Sequence, residues 1–400
     1  MTPLDDLLAQ EALNVHFQPI ISLKQKAVLG LEALARPHHM NVGEMFDQAT
    51  HSGRMLEVDR LCRRKALEDY KALLLPKEPR PLLFFNFEAS VIDEGVGGSG
   101  VIAAAVRAAG LEPSDIVIEI NESKVTNTAA LRQFVDRYRD LGFLIALDDL
   151  GAGDSNLPRI AELRPHIIKL DRSLIQSIDT DYFKQETMKS LVALGHRVGC
   201  MVLAEGVETE AEVDTCAALG AELFQGFYFA RPQSAQALDL DTLLQKLRDS
   251  AQRQRQQTVH AIQRRRLEGK RLHRLADAAR NVLAQSDPTG FEIVLSRIMR
   301  AEISVECAYL LDRDGLQVTW TLTSSSSLRH QSRLFAPAPK GADHSNKEYF
   351  FSLLDAGLER YTTESYLSLA TGKLCRTIAV VVPHKDGATY VLCLDLAVDA

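Results

Sequence analysis

Residues 116–149 read IVIEINESKVTNTAALRQFVDRYRDLGFLIALDD. Ile116–Ile120 is a short apolar run, Ala129–Leu141 carries apolar residues at helical spacing, and Leu144–Leu147 is again short and apolar before the pair Asp148-Asp149. Strand, helix and strand in that order suit an α/β architecture whose strands are buried on both faces. The pattern continues in both directions. Strand-like runs lie at Val15–Leu23, Val28–Ala35, Leu82–Phe87, His166–Leu170, Met201–Ala204 and Leu223–Phe229. Helical stretches include Met55–Leu75, Val101–Ala109, Gln185–Val198 and Glu210–Leu219. Eight short strands within about 215 residues predict a modified (β/α)8, TIM-like barrel, not an open doubly wound sheet. Only Lys24–Ala27 separates the first two runs, so they form a hairpin and put one antiparallel strand in the barrel.

The chain has 400 residues, of which 46% are hydrophobic and 25% charged, with a formal net charge of −7. This is the composition of an ordinary soluble protein of about two domains, and its acidity makes nucleic acid an unlikely whole-protein partner. Cys62, Cys200, Cys216, Cys307, Cys375 and Cys393 form no Cys-x-x-Cys pair and no zinc-type cluster, which points to reduced thiols. Met1–Asn14 lacks a basic segment followed by an apolar one, and no apolar run approaches the ~18 residues of a membrane span. A cytoplasmic protein with no membrane span is expected.

After Pro232 the character changes. Residues 1–240 form the expected barrel, 241–285 a helical connector and 286–400 a smaller α+β domain. The connector carries a basic block from Arg264 to Arg274 and reads as a solvated helix. Beyond the break Ser286–Gly290, a helix at Phe291–Arg300 precedes strands at Cys307–Asp312 and Leu316–Leu322. A helix at Lys347–Ala356 is followed by strands at Leu374–Pro383 and Thr389–Asp395. An antiparallel sheet with helices on one side is expected.

The barrel strands share one feature. Glu32, Asn86, Glu119, Asp148, Asp149, Lys169, Glu205 and Gln225 are polar residues at or near the C-terminal end of apolar strands, the end that carries the site in barrel enzymes. Converging carboxylates without cations would carry a large desolvation cost. Three glutamates, two aspartates and a neutral oxygen donor, with no histidine or cysteine, suit Mg²⁺ or Mn²⁺ better than zinc. An Asp-Asp pair can bridge two ions about 3.5–4 Å apart, the two-metal arrangement of phosphodiester cleavage.

These residues also carry a resemblance. Phe17-Gln18-Pro19-Ile20, Leu31–Arg36, Asn86, Glu119-Ile120-Asn121-Glu122, Asp148–Gly153, Lys169-Leu170-Asp171, Glu205–Thr209 and Gln225-Gly226-Phe227 follow one another as in the EAL domain. The resemblance covers about residues 8 to 240 and implies a cyclic-di-GMP phosphodiesterase releasing linear pGpG. It implies two Mg²⁺ or Mn²⁺ per site, with Ca²⁺ as an inhibitory ion. Glu32, Asn86, Glu119, Asp148, Asp149 and Glu205 would be the metal ligands. Lys169 would contact the attacking water, Gln225 would position that water or the groups around it, the catalytic Glu205 would complete the cluster directly or through water, and Glu122 would steady the loop after the Asp pair. Gln18, Leu34, Arg36, Asp171 and Glu208 would contact substrate, and the protein would form a homodimer. The family's Asp-Asp-Phe-Gly-Thr-Gly-Tyr-Ser-Ser loop reads here Asp148-Asp149-Leu150-Gly151-Ala152-Gly153-Asp154-Ser155-Asn156. A receptor that binds cyclic di-GMP with little turnover is therefore the alternative reading.

Residues 307 to 396 resemble a PAS-like or Cache-like sensor, on Asp312-Arg313-Asp314-Gly315, Asp343-His344-Ser345, Tyr366-Leu367-Ser368 and Arg376–Ala379, and the whole arrangement is similar to the YkuI type of EAL protein. Tyr349, Tyr366, Ser368 and Arg376 either line a pocket for an unknown small-molecule ligand or fill the core, with Arg376 on a surface acid.

Overall fold

The computed structural model describes residues 2–73, 80–88, 90–93, 100–121, 125, 127–151, 157–324 and 334–398. They form two compact units, Met1–Val259 and His260–Ala400.

The first unit is a closed eight-stranded barrel in sequence order: β1 Leu13–Ser22, β2 Ala27–Pro37, β3 Leu82–Phe87, β4 Ile116–Ile120, β5 Leu144–Leu150, β6 Ile167–Leu170, β7 Met201–Glu205 and β8 Leu223–Gln225. The hairpin expected between the first two strands is present. β1 runs antiparallel to both β2 and β8, and the other neighbours are parallel. The last strand stops at Gln225, four residues earlier than its apolar run suggests. Gly226 lies so close to Val207 that a β-carbon there would sit 2.0 Å from the Val207 carbonyl oxygen. The chain then turns, with Phe229 N–H donating to Gly226 O.

Alternation along the strands divides this unit into two cores. Ile118, Ile120, Ile145, Leu147, Ile168 and Leu170 point outward into a large apolar layer beneath the helices. Ile20, Phe84, Val117, Ala146, Ile167, Leu203 and Leu223 point inward and plug the barrel. Gly30 leaves room for this plug, since a β-carbon there would meet the Phe84 ring at 2.3 Å.

In the second unit the sheet order is β10-β9-β14-β13-β11, with β9 Val305–Leu311, β10 Leu322–Thr323, β11 Arg360–Thr362, β13 Leu374–Pro383 and β14 Thr389–Ala397; β12, Tyr366–Leu367, also pairs with β13. The strand expected at Leu316–Leu322 is reduced to isolated bridges at Leu316 and Gln317 and the two-residue β10. Helices cover both faces, not one. Ile378, Val380, Val382, Leu392 and Leu394 pack with Ala276, Ala279 and Leu283 of the helix Leu240–Gln285 and with Phe291 and Leu295. Ala379, Val391 and Cys393 pack beneath Tyr349, Phe350 and Leu353 of the helix Glu348–Leu354. The unbroken apolar run of β13 belongs to a strand buried on both sides.

Candidate metal centre

The residue two positions beyond each inward plug residue, toward the mouth formed by the C-terminal ends of the parallel strands, is polar. Val117 leads to Glu119, Ala146 to Asp148, Ile167 to Lys169, Leu203 to Glu205, Leu223 to Gln225, Phe84 to Asn86 and Gly30 to Glu32. On the reversed β1 the step from Ile20 runs back to Gln18. A period of two therefore stacks one polar layer directly on an apolar plug. Strand register places Gln18 beside Glu32, Asn86 beside Glu119 and Glu205 beside Gln225.

Lys169 stands at the centre of this layer. Its Nζ lies 2.7 Å from Glu119 Oε1, 2.7 Å from Glu205 Oε1, 2.9 Å from Asp148 Oδ1 and 3.8 Å from Glu32 Oε1. Asn86 Nδ2 donates to Glu32 Oε1 at 3.1 Å, while Gln225 Nε2 donates to Gln18 Oε1 at 3.2 Å and to Glu32 Oε2. Asp149 has a left-handed backbone, φ 57°, and its Oδ2 accepts from Asn121 Nδ2 at 2.6 Å. Asp148, Asp149 and Glu205 each present a carboxylate oxygen within 4.8 Å of the others.

Burial dominates the titration of this layer. It pushes the Glu119 carboxyl well above its ordinary value, with Glu32 and Asp148 adding to the shift and Lys169 opposing it. Glu205 rises to about 8, first through burial and then through the like charges of Asp148 and Glu32, against the pull of Lys169. Burial opposes the charge on Lys169, but Asp148, Glu119, Glu205 and Glu32 together hold its pKa well above the usual range. Four carboxylates thus face one ammonium, with Asp149 close to two of them. Among the described residues, Oε2 of the fully buried Glu119 and Oε1 of Gln225 have no hydrogen-bond partner. This all-oxygen donor set with excess negative charge fits hard divalent cations.

A cleft of about 290 Å³ opens above the layer, lined by Gln18, Glu32, Leu34, Asp148, Asp149, Lys169, Glu205, Glu208 and Gln225, together with Arg172 and Phe227, to which the sequence alone assigned no role. A neighbouring chamber of about 180 Å³ shares Leu34 and is lined by Arg36, Asp59, Cys62, Arg63, Asn86 and Asn121. Asp59 is buried in an ion pair with Arg63, whose guanidinium also lies over the Phe87 ring. Asp171 caps the short helix after β6, accepting from Ser173 N–H at 2.8 Å. Glu122 and residues 152–156 of the loop after the Asp pair lie outside the described residues. A larger groove, about 950 Å³, runs outside the barrel past Asp5, Glu11, Arg54 and Arg64. Those charges are paired with one another, so the groove holds no comparable excess of charge.

Residues 3–232 match the family model described as the EAL domain. The chain belongs to the EAL domain family. It is 29% identical over 248 residues to the Cyclic di-GMP phosphodiesterase NbdA of Pseudomonas aeruginosa, covering 59% of this chain and 31% of that one. The chain therefore spans about a third of the length of that relative. It is 24% identical over 395 residues to the uncharacterized EAL-domain protein YkuI of Bacillus subtilis, covering 95% and 94% of the two chains. The crystal structure of YkuI in complex with c-di-GMP and calcium shares the fold across 100% of both chains, with a TM-score of 0.80 at 23% identity. The manganese/cy-diGMP complex of Klebsiella pneumoniae BlrP1 at pH 6 matches 56% of this chain and 56% of that one, with a TM-score of 0.51 and 30% identity. No helix among the described residues is long and apolar enough to cross a membrane.

In the second unit, Tyr349, Tyr366 and Ser368 gather around one face of the sheet. Tyr349 OH lies 3.0 Å from both Tyr309 OH and His344 Nδ1, and Tyr366 OH lies 2.5 Å from Thr377 Oγ1. Thr377 Oγ1 donates to the buried Asp395 at 2.7 Å. Arg376 does not join them. It alternates to the opposite face of β13 and sits 3.7 Å from Glu268.

Proposed function

We propose that the protein is a metal-dependent phosphodiesterase that hydrolyses cyclic di-GMP to linear pGpG. The observation that carries this reading is the layer of four carboxylates around Lys169, with Asp149 at its edge and Asn86, Gln18 and Gln225 around it, at the mouth of an EAL barrel. The relative NbdA is named a cyclic di-GMP phosphodiesterase, and both structures described above hold the same dinucleotide.

Glu32, Asn86, Glu119, Asp148, Asp149 and Glu205 would hold two Mg²⁺ or Mn²⁺ ions, with Ca²⁺ as an unproductive substitute. Two such ions supply Lewis acidity toward the phosphoryl oxygens and a water acidic enough to ionise near neutral pH. The chain's own groups do the rest. Gln225 Oε1, buried and without a partner among the described residues, is an acceptor for a proton of the attacking water. Lys169 opposes the burial that raises Glu119 and Glu205 and favours a negatively charged nucleophile beside it. Gln18, Leu34 and Glu208 line the substrate cleft, while Asp171 fixes the turn that follows Lys169. Phe227, exposed on the rim with Arg231 stacked 4.2 Å from its ring centroid, offers a flat surface to a purine. In the adjoining chamber, Arg36 suits a phosphate oxygen and the Asp59 carboxylate suits the N–H edge of a guanine.

The second unit would modulate the barrel as a sensor, with the tyrosine-lined face of its sheet as the ligand side. Organisation as a homodimer in the cytoplasm belongs to the same proposal. Chromatographic separation of pGpG from cyclic di-GMP, with Mn²⁺ and with chelator, tests the assignment. Binding without product over hours would leave a receptor in its place.

A further inference from the structure

Cyclic di-GMP carries two phosphodiesters in one macrocycle. When one lies over the acidic layer, the other must be received by a wall of the same cleft. Among the described residues that line the cleft, the cations are Lys169 and Arg172. Lys169 is almost fully buried and committed to the carboxylates around it. Arg172 is half exposed, at the start of the short helix Arg172–Ile175 that follows β6.

Two contacts hold Arg172 in place. Its aliphatic stem lies across Gly206, the residue after Glu205, where an added β-carbon would come within 2.6 Å of Cγ and 2.7 Å of Cβ. Its Nη2 lies 3.0 Å from Glu208 Oε1 in an ion pair. A guanidinium has five N–H donors in a planar fork, so this pair leaves others free toward the cleft. The ion pair orients the cation without consuming it.

We propose that Arg172 receives the phosphodiester that is not cleaved, and that Glu208 and Gly206 position it for that task. The inference rests on the cyclic di-GMP reading of the cleft. It makes Arg172 a determinant of specificity for substrates with two phosphates.

The test compares the full-length chain with R172A and R172K in Mn²⁺ on two substrates. One is cyclic di-GMP, and the other is bis(p-nitrophenyl) phosphate, which has a single diester. R172A is expected to lower kcat/KM for cyclic di-GMP roughly ten- to hundredfold, the size of a lost charge-assisted hydrogen bond, mainly through KM. The loss on bis(p-nitrophenyl) phosphate should be much smaller, and R172K should recover part of the cyclic di-GMP rate. A parallel arm measures binding of cyclic di-GMP in Ca²⁺, where R172A should weaken affinity by a similar factor. Equal losses on both substrates, or unchanged kinetics and affinity for cyclic di-GMP, would overturn the proposal. If the wild type binds cyclic di-GMP without hydrolysing it, the hydrolase reading falls while the binding arm still decides the role of Arg172. A wild type that neither binds nor cleaves it overturns both.

Discussion

Replacing Lys169 by Met removes the ammonium from the middle of the acidic layer while keeping a side chain of similar length. In the metal-free chain, Glu119 and Glu205 each lose a partner at 2.7 Å and Asp148 one at 2.9 Å. Breaking a buried ion pair by removing one partner costs roughly 3–5 kcal/mol. The carboxylates can escape part of that cost by taking up protons, and each proton makes the remaining cost grow by about 1.4 kcal/mol per pH unit above its pKa. The destabilisation should therefore be larger at pH 9 than at pH 6. For a unit of this size, roughly 2–4 °C of melting temperature per kcal/mol gives a fall of about 6–20 °C in chelator. Divalent cations and the ammonium stabilise the same carboxylates, so the rise in melting temperature on adding Mn²⁺ should be greater for K169M than for wild type. Hydrolysis should nevertheless drop. Differential scanning calorimetry in chelator and in Mn²⁺ checks each point. An unchanged melting temperature in chelator would refute the reasoning that Lys169 is the countercharge of the layer.

Three further outcomes follow from the geometry. Glu119→Gln removes a fully buried carboxylate whose pKa is driven upward by burial, so it should raise stability in chelator while shrinking the Mn²⁺-induced shift. Loss of both effects would remove Glu119 from the layer. Gly206→Ala places a β-carbon against the Arg172 stem at a backbone φ of +69° and should cost roughly 1–3 kcal/mol in urea unfolding. Asp395→Asn tests the second unit. Burial raises Asp395 to about 6 from 3.8, so its folded form prefers the proton and wild-type stability falls as pH rises from about 4 to 6. The drop amounts to about 3 kcal/mol. D395N should flatten this slope and be the more stable protein at pH 8. The single tryptophan, Trp320, lies in this unit and reports its unfolding by fluorescence.

The barrel was legible because its strands are short, apolar and separated by helical stretches, and because Lys24–Ala27 forces a hairpin. The acidic layer was legible as strand-end residues, but its rule is geometric. The polar residue stands two positions beyond the plug on each strand, and Gly30 conceals one plug position because Phe84 fills its place. Arg172 and Asp59 were missed for different reasons. Arg172 follows Lys169-Leu170-Asp171 as an ordinary helix-start residue, and only the close pass over Gly206 turns it into the cleft. Asp59 and Arg63 stand four residues apart in a stretch that the sequence marks only as helical, and the helix Met55–Ala72 buries the pair, with Arg63 over Phe87. The smaller sheet is expected with helices on one side, although the continuous apolar stretch Ile378–Val382 of β13 is that of a strand covered on both faces. Arg376 is expected either in a pocket with the tyrosines or on a surface acid; the alternation of β13 turns it away from the tyrosines, and it lies 3.7 Å from Glu268.

The central claim is that the carboxylate layer around Lys169 cleaves a cyclic dinucleotide with the help of divalent cations. The most direct test incubates the full-length chain with cyclic di-GMP in Mn²⁺, in chelator, and in Mn²⁺ with Asp148→Asn, and resolves the products chromatographically. The account predicts pGpG in the first reaction and none in the other two. Product formed at the same rate in chelator, or by D148N at the wild-type rate, would contradict it.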